Sequence, residues 1–226
     1  MSTIADYVIG VRERIFRAAE KNGRSGEEIR LVAVTKRQPV EAVREALAAG
    51  VRELGENYVQ EAEQKWAELG RVLATRHLIG HLQRNKAGKA AALFDMVQTV
   101  DSLELARALG RRAGDLGREL DALIEVNISG EATKHGVAPE AAGDLAGQVA
   151  EVPGLRLRGL MGMGPAEADE AATRRSFQRL RALFEQLPPE HRQVLSMGMT
   201  GDFELAIAEG STMVRIGTGL FGGRRS

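Results

Sequence analysis

The segment LVAVTK, residues 31–36, is an apolar run of strand type that ends on Lys36 and passes at once into Arg37, Gln38 and Pro39. At the exit of a buried strand a lysine faces the mouth of an α/β barrel instead of bulk water. An amine in a partly desolvated site has a lowered pKa, and its neutral form attacks a carbonyl to give an imine. A lysine that merely caps the strand and solvates itself would look the same in sequence, so Lys36 needs a partner site. Two later segments offer one. SMGMTGD (residues 196–202) and RIGTGLFGG (residues 215–223) each follow a short apolar run, and they bring the hydroxyls of Thr200 and Thr218 together with Gly201, Gly217 and Gly219. Glycines let backbone N–H groups approach a ligand closely, and the loops after the seventh and eighth strands of barrels commonly bind a phosphate. Turn chemistry would account for any one of these glycines, whereas the pair of loops favours an anion. Arg215 adds charge there or hydrogen-bonds a ring. An imine-forming lysine across a barrel mouth from a phosphate cradle describes how pyridoxal 5'-phosphate (PLP) is held.

Other chemistry is less well supplied. His77, His81, His135 and His191 fall in different units without ligand spacing, so no metal site is expected. His81, in HLIGHLQRNK, reads as a hydrogen-bonding group before it reads as an acid or base. Arg84, Lys86 and Lys89 make a basic patch whose first reading is a solvated face and whose second is a surface for another protein. Met161, Met163, Met197 and Met199 near strand ends read as packing. The absence of cysteine removes disulfides, Cys-based zinc and thiol nucleophiles. Lysine plus arginine equals aspartate plus glutamate at 31 each, so overall charge directs the chain to neither nucleic acid nor an acidic membrane. The N-terminus lacks the apolar core of a secretory signal, and no apolar run approaches the ~20 residues of a membrane span. A cytoplasmic protein is expected.

These groups need elements to position them. With 226 residues, one domain covering residues 1–226 is expected, slightly short for a complete (β/α)₈ barrel. Ile4, Val8, Val11, Ile15 and Phe16 recur at helical spacing, which predicts an N-terminal helix over about residues 3–21 packed on the body. Strands are predicted at residues 30–35, 51–55, 76–80, 95–100, 120–127, 155–163, 194–197 and 212–216. Amphipathic helices are predicted between them, including residues 85–94, 139–150 and about 167–186, with Ser102 as the N-cap of the one after the fourth strand. Eight alternating units imply parallel pairing with helical crossovers, and eight closes a TIM barrel over about residues 30–222. An open doubly wound sheet is the competitor; its G-x-G-x-x-G fingerprint is missing after the first strand.

LVAVTK, ELGENYVQE, HLIGHLQRNK, VQTVDS, EVNISGEATKHG, GLMGM, LSMGMTGDFELAI and STMVRIGTGLFG occur in order between Leu31 and Gly222. Together they resemble the pyridoxal phosphate homeostasis proteins, the PLP-binding proteins of the YggS/PROSC type. The resemblance implies a barrel similar to the N-terminal domain of alanine racemase, a fold-type III PLP protein, with PLP joined as a Schiff base to Lys36. It implies Asn57 beside the cofactor ring, Thr200, Gly217 and Thr218 on the phosphate, and Arg215 at the ring or its nitrogen. Two positions depart from the family pattern: Thr200 stands where serine is common, which keeps the hydroxyl, and Gly162 replaces a larger residue, which would widen the barrel floor. The implied role is storage, buffering or delivery of PLP by a monomer, with PLP-dependent apoenzymes as recipients and no established reaction. The racemase completes its site with a second domain that contributes a catalytic tyrosine, and this chain ends at Ser226, just past the eighth strand. A fold-type III enzyme such as an amino-acid racemase is the alternative. A module that binds another protein, with PLP setting its state, is a third reading.

Overall fold

The computed structural model describes residues 3–131, 133–166 and 169–222. Eight parallel strands close a barrel in sequence order: β1 (Arg30–Val34), β2 (Glu53–Glu56), β3 (Thr75–Leu78), β4 (Met96–Val100), β5 (Leu120–Val126), β6 (Leu155–Gly162), β7 (Val194–Ser196) and β8 (Met213–Ile216). Closure comes from β1 pairing with β8, Ala33 opposite Ile216. The open sheet is thereby excluded. Most strands are a residue or two shorter than their sequence pattern, because apolar character continues into the loops while ladder pairing stops; β1 ends at Val34, leaving Thr35 and Lys36 beyond it.

The outer layer comprises α1 (Ile4–Glu20), α2 (Val40–Ala48), α3 (Val59–Leu69), α4 (Ala87–Leu93), α5 (Leu103–Asp115), α6 (Ala142–Ala150), α7 (Glu170–Gln186), α8 (Phe203–Ala208) and α9 (Thr218–Phe221). Glu167, the expected start of α7, lies outside the described residues, as does Gly223; the described helix is capped by Asp169, whose carboxylate accepts from the Ala172 N–H at 2.7 Å. α1 begins with a capping box in which Thr3 and Asp6 satisfy each other's backbone N–H. It buries Val8, Val11 and Ile15, and Arg14 grips Glu204 of α8 through two 3.0 Å hydrogen bonds. Phe16, expected on the buried face, is 41% exposed. Ser102 occupies the N-cap position of α5, but its hydroxyl donates to Asp101 at 3.2 Å and caps nothing. α4 is preceded by a 3₁₀ turn at Arg84–Lys86 and α6 by another at Pro139–Ala141, each shortening the expected helix.

Strand side chains alternate between two cores. One packs between strands and helices. The other is a waist inside the barrel made of Val32, Met96, Leu123, Met161, Val194 and Met213, each buried. Two residues further along the same strands, hence on the same inward face, stand Val34, Gln98, Glu125, Met163, Ser196 and Arg215. An apolar plug is therefore overlaid, toward the strand C-termini, by a mostly polar layer. No described helix is long and apolar enough to cross a membrane.

Candidate functional site

Lys36 lies in the turn just past β1, and its side chain is exposed. The partly desolvated setting expected from sequence is not supplied by the surrounding protein, because the turn projects from the rim. That turn is nonetheless rigidly footed. Lys65 of α3, only 6% exposed, donates to the Thr35 carbonyl at 2.5 Å, to Glu56 Oε1 at 2.5 Å and to Glu61 Oε1 at 3.0 Å. Thr35 Oγ1 donates to Glu56 Oε1 at 2.7 Å, and the Arg37 N–H donates to the Glu61 carboxylate. Arg37 takes a left-handed φ of 59°, so the chain reverses immediately after the lysine. Glu56, the last residue of β2, is fully buried in this brace; burial raises its pKa, opposed by the Lys65 and Thr35 hydrogen bonds.

The phosphate-type loops come together as anticipated, but beside Lys36, not across from it. Because β8 pairs directly with β1, a Cβ on Gly217 would stand 3.4 Å from Val34 Cβ. The β7 and β8 loops are joined where the Gly219 N–H donates to Thr200 Oγ1 at 3.3 Å. Thr218, exposed, opens the short α9, a helix that glycine-rich sequence did not suggest. Its single turn closes on the Gly217 carbonyl, which accepts from the Leu220 and Phe221 N–H groups.

Arg215 lies beneath this rim, 4% exposed, donating to Ser196 Oγ at 2.6 Å and to the Gly162 carbonyl at 3.1 Å. Burial lowers its pKa to about 10, partly offset by Asp202 and Glu125, so the guanidinium stays charged at neutral pH. Gly162 does not widen the barrel floor: a Cβ there would meet Leu180 Cδ2 at 2.9 Å and Ile128 Cδ1 at 3.0 Å, so the missing side chain lets α7 and the β5 loop approach β6. Asn57, just after β2, presents a buried Oδ1 with no hydrogen-bond partner. Its backbone is pressed by Gly80, where a Cβ would come within 2.3 Å of the Asn57 carbonyl oxygen. Glu125 is a second incomplete group: buried, with Oε2 unpartnered and its pKa raised to about 7 by burial and by Asp101, against the attraction of Arg215.

Other polar groups near the strand ends are spent on structure. Asn127 accepts from Ser129 Oγ and the Gly130 N–H and donates to the Glu131 and Lys134 carbonyls, so it shapes its own loop. His81 stacks on His135 with centroids 3.8 Å apart, its Nδ1 3.6 Å from Asp101. Met161 and Met197 are buried, whereas Met199 is 40% exposed at the mouth. Lys89 pairs with Glu63 at 2.7 Å, and it lines, with Arg84, Arg107 and Arg111, a cleft of about 900 Å³ between α4 and α5 whose lining does not include Lys36. Among the described residues no cluster of metal-ligating side chains occurs. Sequence reasoning missed Gln98, Ser196, Glu125 and Lys65. Its available signal was a polar residue in a strand buried on both faces, as in MVQTV.

The site therefore offers a presented amine, an adjacent cradle of hydroxyls and N–H groups, a buried cation below it and an unpaired amide oxygen to one side. Those donors and acceptors fit a ligand carrying an aldehyde, a phosphate and a polar aromatic ring. The family model "Alanine racemase, N-terminal domain" matches residues 16–225. A curated relative from Pseudomonas aeruginosa, named pyridoxal phosphate homeostasis protein, is 46% identical over 99% of this chain and 97% of its own. Its namesake from Escherichia coli K12 is 44% identical over 99% and 98%. Among solved structures, PipY of Synechococcus elongatus PCC7942 with PLP bound is similar at 39% identity and a TM-score of 0.80, covering 94% of this chain and all of that one (100%).

Proposed function

The chain belongs to the family of pyridoxal phosphate homeostasis proteins, built on the alanine racemase N-terminal domain, and from that premise we propose that it binds PLP at the barrel mouth as a Schiff base on Lys36 and stores, buffers or delivers it. The observation that carries this reading is the placing of Lys36: an exposed amine on a braced turn, next to the β8 loop and above the buried Arg215. The cofactor would supply the aldehyde and an electron-accepting ring. Thr200, Gly217 and Thr218 would take the phosphate through hydroxyl and backbone N–H groups, Arg215 would donate to the ring, and Asn57 would flank it.

Holding is favoured over turnover. The exposed lysine leaves one face open to exchange, and His81, in the loop after β3, is stacked against His135. The same proposal places a monomer in the cytoplasm with PLP-dependent apoenzymes as recipients. Borohydride reduction of PLP-loaded protein followed by peptide mass spectrometry should find the pyridoxyl group on Lys36, and Lys36→Ala should abolish the visible band. A label elsewhere, or a band that survives the substitution, would overturn the assignment. Sustained product formation across a panel of D- and L-amino acids would replace holding by catalysis.

A further inference from the structure

The polar layer above the waist continues downward as a column of hydrogen bonds and one close His–Glu contact. Arg215 Nη1 lies 2.6 Å from Ser196 Oγ, which lies 2.7 Å from Gln98 Oε1; Gln98 Nε2 lies 3.1 Å from His77 Nδ1. His77 Nε2 is 3.0 Å from Glu53 Oε2, and Glu53 Oε1 is 2.6 Å from Arg30 Nε, near the N-terminal end of the strands. The direction of every proton follows from one fact: a guanidinium cannot accept. Ser196 must therefore accept from Arg215 and give its own proton to Gln98 Oε1. The amide then presents Nε2 to His77, so Nδ1 accepts and the ring proton sits on Nε2, on the side of Glu53. Nε2 and Oε2 face each other at this ion-pair distance without an in-line hydrogen bond, and neither has another partner. Burial works against charge on Glu53, yet His77 and Arg30 hold its pKa below the usual carboxylate range.

A chain of donors all pointing one way, from a cation to a carboxylate in a low-dielectric interior, is mutually reinforcing. An apolar barrel would be the cheaper solution for stability, since buried polar networks rarely gain over well-packed hydrocarbon. We propose that Gln98 and His77 are positioning residues for the cofactor: through Ser196 they lock Arg215 in one rotamer, as an obligate donor toward the mouth, and tie it to the Glu53–Arg30 pair at the far end of the barrel. This rests on the PLP reading above and adds that the cofactor senses residues it never touches.

The test uses the full-length protein with histidine ring nitrogens labelled with ¹⁵N. Adding PLP to the parent should move the His77 ring resonances, while Gln98→Leu, which cuts the column between Ser196 and His77, should leave them still. His77→Leu should shift the visible band of bound PLP and weaken binding roughly tenfold, the size expected for losing the support of one charged hydrogen bond. His77→Gln, whose amide can accept from Gln98 and donate to Glu53, should restore both, which a purely structural role would not require. A Lys36-dependent band with unmoved His77 resonances overturns the column's role alone. Leucine variants matching the parent in band position and affinity do the same. No band in the parent overturns the PLP reading and this one with it.

Discussion

Two lysines meet at Thr35 and are treated in opposite ways. Lys65 is buried and gives hydrogen bonds to a carbonyl and two carboxylates; Lys36, the residue after Thr35, is exposed and has no hydrogen bond or ion pair among the described residues. The difference separates two jobs. A nucleophilic amine must keep its lone pair and its freedom, so it cannot also fasten the backbone. Lys65 does the fastening, and its charge is matched by Glu56 and Glu61 in the same brace.

The strongest way to break this contrast is to remove the fastened lysine. Lys65→Met leaves Glu56 buried without its cation and should lower unfolding stability by about 3 kcal/mol or more, read from urea denaturation. An unchanged midpoint would mean that the brace is decorative. Glu125 is the carboxylate without such a cation in direct contact. Its pKa is raised to about 7 in the folded state. The folded protein thus holds the proton where the unfolded chain has released it, so stability falls as pH rises from the ordinary carboxylate range through about 7. The loss approaches about 3 kcal/mol in full. Glu125→Gln should flatten that decline, and a parallel decline in both proteins would assign it to other groups.

Gly80→Ala probes the rim that positions Asn57. A methyl group 2.3 Å from a backbone oxygen must displace it, at a cost of about 1–3 kcal/mol. Weaker PLP binding should accompany the loss, measured by fluorescence titration. Lys36→Ala should have the smallest effect on stability, within about 0.5 kcal/mol, because the side chain is exposed. Its effect on the visible band should be complete. Should Lys36→Ala destabilise as much as Lys65→Met, the division of labour between the two lysines would be wrong.

Much of the architecture was legible because its signals are local. Apolar runs of strand length, punctuated by Gly50, Pro39 and Gly210, separate the βα units, and Lys36, Thr200 and Gly217 stand where those runs stop. The misjudged features are those whose cause is distant in sequence. Phe16 fits the helical period of α1 yet is 41% exposed, because periodicity gives a face but not its width. Glu56 looks like a mouth residue until Lys65 is seen to bury it. Ser196 and Gln98 are 98 positions apart and meet only when the barrel closes.

The chain by itself determined eight parallel units and a lysine at the exit of the first, since hydrophobic period, turn residues and strand length are read within a few residues. Only the tertiary structure decided that the β8 loop lies beside Lys36, that Lys65 holds its turn, and that Arg215 stands on a column reaching Arg30. Those facts depend on β1 pairing with β8 and on which side chains share the barrel interior. Closure couples residues that no local pattern relates.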